Sequence, residues 1–195
     1  RFCDFPRHPP DQQIKKKRPG YKEILDFYQK VKEEQEKLKP SLKIKSPSLK
    51  KEWKDLLAKE GFPLIEKKDF PLDIASSINL LRSLCQIGKE ANPYMAEEAK
   101  KIEEIIDQKR TNLKDLLILG LKEGKAEQIA DEFKLDKKVF SFFIQESIRP
   151  SIEAVVEKLR NEIDSETWLK NYCPICGSLP SLALLKEEKG ERYLL

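Results

Sequence analysis

A chain of 195 residues has room for one ordinary domain, or one domain and a small appended module, and can bury a real core. Its 38 basic and 34 acidic residues leave a formal charge of +4 with both signs mixed along most of the length, which excludes a large field for drawing in nucleic acid. No run of about 18 apolar residues occurs, so no membrane-spanning helix is expected.

Charged residues make up 37% of the chain, mostly Lys and Glu, a composition that resembles the surfaces of heat-adapted proteins. The first residues carry no signal-peptide pattern. The four cysteines fall as two singles, Cys3 and Cys85, and one close pair, Cys173 and Cys176. That is not a disulfide framework, and a reducing, cytoplasmic setting is expected.

Residues 1–17, with Pro6, Pro9 and Pro10, read as an extended tail, and the charge run Lys15-Lys16-Lys17-Arg18 as a solvated stretch before a helix. From Tyr21 the spacing of Tyr21, Ile24, Leu25, Tyr28, Val31 and Leu38 predicts a first helix with those residues on its buried face. Pro40, Pro47, Gly61, Pro63 and Pro71 then break the chain into a long crossover, inside which residues 48–60, with Trp53, Leu56 and Leu57, predict a short helix. Residues 72–91 predict a helix through Ile74, Ile78, Leu81, Leu84, Cys85 and Ile87. Asn92-Pro93 closes it and opens the next, since Asn is a favoured N-cap and Pro is favoured in the first turn. That helix carries Met95, Ala99, Ile102, Ile105 and Ile106. Thr111 or Asn112 caps another through Leu113, Leu116, Leu117 and Leu121.

Residues 126–133 follow as a helix, and Asp136 caps a further one through Val139, Phe140, Phe143, Ile144 and Ile148. Pro150 is expected to break or kink it, with Ile152, Val155, Val156, Leu159 and Ile163 resuming the pattern. After Trp168 the character changes. Residues 179–185 suit a strand, residues 186–191 a polar turn, and Arg192-Tyr193-Leu194-Leu195 a returning strand. The fold class is therefore mainly α: an irregular multi-helix domain over residues 18–166, then the first half of a rubredoxin-like or zinc-ribbon β module over residues 167–195.

Cys173-Pro174-Ile175-Cys176-Gly177 is the most specific chemical signal. Two cysteines two residues apart, with Gly following, let one tight turn aim both sulfurs and several N–H groups at one ion, as in a four-thiolate metal site. Four thiolates in a tetrahedron suit zinc or iron alike. A redox pair is a second reading, but such motifs precede a helix whose dipole lowers the thiol pKa, whereas Ser178-Leu179-Pro180 follows here. Use of the two cysteines as small hydrophobes is a third. Cys85 lies on the apolar face of its helix and reads as core, and His8 in the tail has no partner motif. Phe140, Phe142 and Phe143, with Trp53, exceed what one narrow face hides, so core packing and a partner groove both stay open.

Taken together, Arg18-Pro19-Gly20-Tyr21, Phe27-Tyr28, Gln35, Ile148-Arg149-Pro150-Ser151-Ile152, the string from Cys173 to Pro180 and Gly190-Glu191-Arg192-Tyr193-Leu194 resemble the formate dehydrogenase accessory protein family, FdhE. The resemblance implies a cytoplasmic, non-catalytic maturation factor that acts on the catalytic subunit of molybdenum- or tungsten-dependent formate dehydrogenases. It also implies a C-terminal region of several Cys-x-x-Cys pairs, the second of them just past Leu195, so that Cys173 and Cys176 supply two ligands to iron or zinc. The absence of a nucleophile–base pair, a placed carboxylate pair or a cofactor loop agrees with a binding protein rather than an enzyme. The partner is expected to dock at Arg149 and Pro150 and at Ser178, Leu179 and Pro180. A nucleic-acid-binding zinc ribbon and a thiol oxidoreductase are the alternative functions, the first disfavoured by an apolar strand and a charge-balanced hairpin turn.

Overall fold

The computed structural model describes residues 18–47, 52, 60–108, 111–121, 125–163, 168, 170–179, 183–185 and 192–194. They are mainly helical. The chain divides into a larger unit, drawn from Pro10–Ile44 and Leu72–Ala154, and a smaller one, drawn chiefly from Lys45–Pro71 and Val155–Leu195.

The larger unit opens with a single 3₁₀ turn, Pro19–Tyr21, and helix α1, Lys22–Leu38. Helices α2, Ile74–Ala91, and α3, Pro93–Asp107, follow, then α4, Leu113–Leu119, α5, Lys125–Glu132, and α6, Lys137–Leu159. The starts of these helices are written in their caps. Asn92 Oδ1 accepts the Met95 N–H at 2.9 Å, Asn112 Oδ1 accepts the Lys114 N–H at 3.0 Å, and Asp136 Oδ1 accepts the Val139 N–H at 2.9 Å. Asp73 does the same for α2 through the Ser76 N–H at 3.1 Å, and its other oxygen accepts the Lys43 N–H at 2.8 Å. Glu98, buried on α3, accepts the Asp136 N–H at 2.7 Å and pairs with Lys101 at 2.7 Å. A buried carboxylate satisfied in this way ties α3 to the start of α6.

The core of this unit joins Leu80, Leu81, Leu84 and Cys85 of α2 to Ala99, Ile102, Ile105 and Ile106 of α3 and to Phe140, Phe143 and Ile144 of α6. Helices α2 and α6 approach closely at Gly88, where an added Cβ would stand 2.6 Å from Phe143 Cζ. Phe140 and Phe143 are buried outright, and Phe142, partly buried, meets Phe27 and Tyr28 with ring centroids 5.7 Å from each.

Two features differ from the sequence expectation. Helix α1 buries Val31 and Gln35, with Phe27 and Leu38 partly buried, while Tyr21, Ile24 and Tyr28 are about half exposed. The stripe through residues 27, 31, 35 and 38 shares Val31 and Leu38 with the expected one and is turned from it by about 50°, half a residue. Tyrosine rings tolerate that position because their hydroxyls stay in water.

The second concerns Pro150, where a break or a kink is expected: the proline lies inside α6 without breaking it. Proline removes the N–H that would bond the carbonyl four residues back, which is that of Glu146. Here Gln35 Nε2 donates to that carbonyl at 2.9 Å and to Glu146 Oε2 at 2.8 Å. The vacancy in the helix is filled from α1, so α6 continues to Leu159.

In the smaller unit Leu64, Ile65, Phe70, Val155, Val156, Leu159 and Ile175 are buried. Its two strands, β1, Ala183–Leu185, and β2, Arg192–Leu194, pair antiparallel, with Ala183 opposite Leu194, Leu184 opposite Tyr193 and Leu185 opposite Arg192. The helix expected over residues 48–60 lies outside the described residues apart from residues 52 and 60.

The proline gap yields a double-mutant test. Gln35→Ala leaves a partly buried carbonyl without its donor and is expected to cost about 1–3 kcal/mol in chemical denaturation. In a Pro150→Ala background residue 150 regains its N–H, and the cost of Gln35→Ala should fall.

Asp73 supplies a pH test. Burial raises its pKa, but the hydrogen bonds from the Lys43 N–H and from the N–H and hydroxyl of Ser76 outweigh this, and the carboxyl lies below its ordinary range. A depressed folded pKa stabilises above the unfolded value, and that stability is lost as pH falls through the folded one. Urea midpoints between about pH 5 and about pH 2 should therefore fall less steeply in Asp73→Asn, which keeps a capping side chain, than in the parent.

Candidate functional site

The cysteine turn is built by its own backbone. The Gly177 N–H donates to the Cys173 carbonyl at 2.8 Å, and the Cys173 N–H donates to the Ser178 carbonyl at 2.8 Å. Gly177 has φ +70°, the left-handed region that a residue with a side chain rarely enters. Pro174 and Ile175 are buried at the turn, while Cys173 and Cys176 are partly buried and not joined in a disulfide.

The two sulfurs converge. Cys176 shares a hydrogen bond with Cys173, and this, followed by burial, holds its thiol well above the ordinary pKa. Its Sγ also lies 3.4 Å from Ser178 Oγ. A pair of thiols set against each other this way is a two-ligand bite for a soft ion, since a cation bound there would remove both protons. Among the described residues no group of three or more His, Cys, Asp and Glu side chains is placed to hold a metal. The described residues thus place two thiols together without a third such ligand beside them.

The outer side of the turn is held by a segment that sequence reasoning left in the crossover. The Leu64 N–H donates to the Pro174 carbonyl at 2.8 Å and the Ile65 N–H to the Ile175 carbonyl at 2.9 Å. Tyr172, just before Cys173, donates its hydroxyl to the Gly61 carbonyl. Trp168 Nε1 donates to the Tyr172 carbonyl at 2.8 Å, and the two rings meet edge to face at 5.5 Å. Gly61 is buried at φ +79°, and a Cβ there would lie 2.5 Å from Lys170 Cε and 3.2 Å from Tyr172 Oη. The available signal was Gly61-Phe62-Pro63, a turn-forming string without a stated role.

The other expected site residues fall in different units. Arg149, on α6 in the larger unit, pairs with Glu146 at 2.8 Å and Glu153 at 3.4 Å, and its side chain is 41% exposed. Pro150 is fully buried, so it contributes to α6 rather than to an accessible surface. In the smaller unit Ser178 is partly buried and Leu179 is 57% exposed, while Pro180 lies outside the described residues. Cys85 is in the core of the larger unit, where burial and then Glu103 push its thiol up to about 12. Cys3, His8 and the run Lys15-Lys16-Lys17 lie outside the described residues. No helix among the described residues is long and apolar enough to cross a membrane.

Fold and site together define a mainly helical protein bearing a paired-thiol turn. Over 185 residues, 93% of its length, the chain is 24% identical to a protein named Protein FdhE homolog from Aquifex aeolicus (strain VF5). That is the family the cysteine-centred string resembles, and the similarity runs through both units. The chain spans 59% of the length of that relative. No protein-family profile matches the chain, and no solved structure matches it.

The raised thiols set an expectation for reactivity. At pH 7 only the thiolate attacks an alkylating reagent, so Cys176 and Cys85 should label slowly in the native protein and quickly in denaturant. Mass-spectrometric mapping of iodoacetamide adducts checks this; rapid native labelling at Cys176 would favour the thiol oxidoreductase reading.

Proposed function

We propose that this protein is a non-catalytic, cytoplasmic maturation factor that binds the catalytic subunit of a molybdenum- or tungsten-dependent formate dehydrogenase and is needed for that enzyme to become active. The observation that carries the reading is the similarity across 93% of the chain to a protein named as an FdhE homolog, and the neighbouring thiols of Cys173 and Cys176 agree with it. On this reading Cys173 and Cys176 supply two of the four ligands of an iron or zinc ion in a rubredoxin-like module. The metal fixes the shape of a docking element and takes no part in a reaction.

The client contacts are assigned to Arg149 in the larger unit and to Ser178, Leu179 and Pro180 in the smaller one. Arg149 offers a fixed, partly exposed guanidinium, already held by two carboxylates, and Leu179 an exposed apolar side chain. Arginine and desolvated apolar anchors are the kinds of residue that dominate binding energy at protein interfaces.

Pull-down of the formate dehydrogenase catalytic subunit tests this. Leu179→Glu and Arg149→Glu should each lower recovery roughly tenfold or more, on the scale of interface hot spots. Undiminished recovery with both would remove the assigned surfaces. Failure of the parent protein to recover the subunit, with a salt-sensitive shift of DNA or RNA instead, would replace the reading with the nucleic-acid one.

A further inference from the structure

We infer that residues 61–65 form part of the cysteine site, as a backbone clamp that holds the turn in its metal-binding shape before metal arrives and so sets how tightly the thiol pair binds. This rests on the reading of Cys173 and Cys176 as ligands.

A trans peptide unit carries its carbonyl and its N–H on opposite sides. The carbonyl of Pro174 is held by the Leu64 N–H and that of Ile175 by the Ile65 N–H. The N–H groups of the same two peptides, those of Ile175 and Cys176, are therefore turned away from residues 61–65. Oriented N–H groups in such a turn are what stabilise negative charge on ligand sulfur. Two further contacts hold the ends of the turn: the Tyr172 hydroxyl on the Gly61 carbonyl before Cys173, and Pro63 against Gly177 after Cys176, 3.3 Å from where a Cβ would stand. The clamp thus meets the turn at residues 172, 174, 175 and 177, on both sides of each cysteine.

Without such contacts a short turn carrying two thiols samples many conformations, and an ion must order it on binding. Ordering completed during folding is not charged to the ion, which raises affinity without any new ligand. Residues 61–65 and Tyr172 are positioning residues in this scheme, because none of them reaches the ion. Outer-shell partners of metal ligands characteristically change affinity by about 10–100-fold when altered.

The test is titration of the 195-residue protein with cobalt(II) chloride, read by the sulfur-to-cobalt charge-transfer absorption, for the parent, Tyr172→Phe, Gly61→Val and Cys173→Ser. Tyr172→Phe deletes one hydroxyl and should weaken cobalt binding roughly tenfold. Gly61→Val puts a β-branched residue at a left-handed position and should weaken it further. Cys173→Ser should abolish the absorption. Unchanged helical circular dichroism and continued protection of Cys85 from alkylation certify each fold. Parent-like cobalt affinity in both Tyr172→Phe and Gly61→Val overturns the clamp and leaves the ligand assignment standing. Cobalt–thiolate absorption that survives unchanged in Cys173→Ser, or that is missing from the parent even at millimolar cobalt, where two thiolates alone suffice to bind, overturns the ligand assignment, and the clamp with it.

Discussion

Pro150 leaves a carbonyl in the middle of a 23-residue helix without its backbone donor, and the arrangement of the larger unit follows from how that vacancy is filled. Gln35 is the filler, and because its amide also reaches the Glu146 carboxylate, one side chain on α1 is fixed by two oxygens on α6. Four residues on, just past the end of α1, Lys39 pairs with Glu153 at 2.8 Å, so the chain is matched to α6 at two levels. Arg149 joins these levels by pairing with both Glu146 and Glu153. Ser151, the next residue but one, accepts the Asp73 N–H at 3.2 Å and so attaches the start of α2. The partly exposed ion pairs contribute little by themselves, as screened surface pairs do. The buried amide on an otherwise orphaned carbonyl is the costly one to lose.

This explains what was and was not legible in the larger unit. Asn92, Asn112 and Asp136 could be named as caps from sequence because capping is local: the acceptor side chain and the N–H it serves are two or three residues apart. Asp73 was missed among Pro71 and Leu72, where the break signals hide the cap signal. Helix α1 was placed correctly, but its buried face was not. Two overlapping stripes exist, and the polar Gln35 marks the true one. A buried glutamine reads as surface until its acceptor is known, and that acceptor lies 111 residues away. The same separation made Pro150 read as an interruption, since nothing near residue 150 reveals that a donor will arrive from residue 35.

The cysteine turn shows the same division. Its spacing, the glycine after it and the absence of a following helix are local and could be read directly. Its neighbours could not, because the 61–65 segment approaches through backbone N–H groups of residues whose side chains advertise nothing. The one side chain that does advertise a link, Tyr172, donates to a carbonyl 111 residues away.

A clamp made of main-chain donors has a consequence for how such a site persists as sequences diverge. Every residue except proline carries an N–H, so the two bonds from positions 64 and 65 to the turn do not depend on which apolar side chain is buried there. Side-chain demands are concentrated at Gly61 and Gly177, with φ +79° and +70°, and at Tyr172, whose hydroxyl is used. On the larger unit the corresponding positions are Gln35 and Pro150, which are meaningful only as a pair: the glutamine has a carbonyl to reach because the proline vacated it.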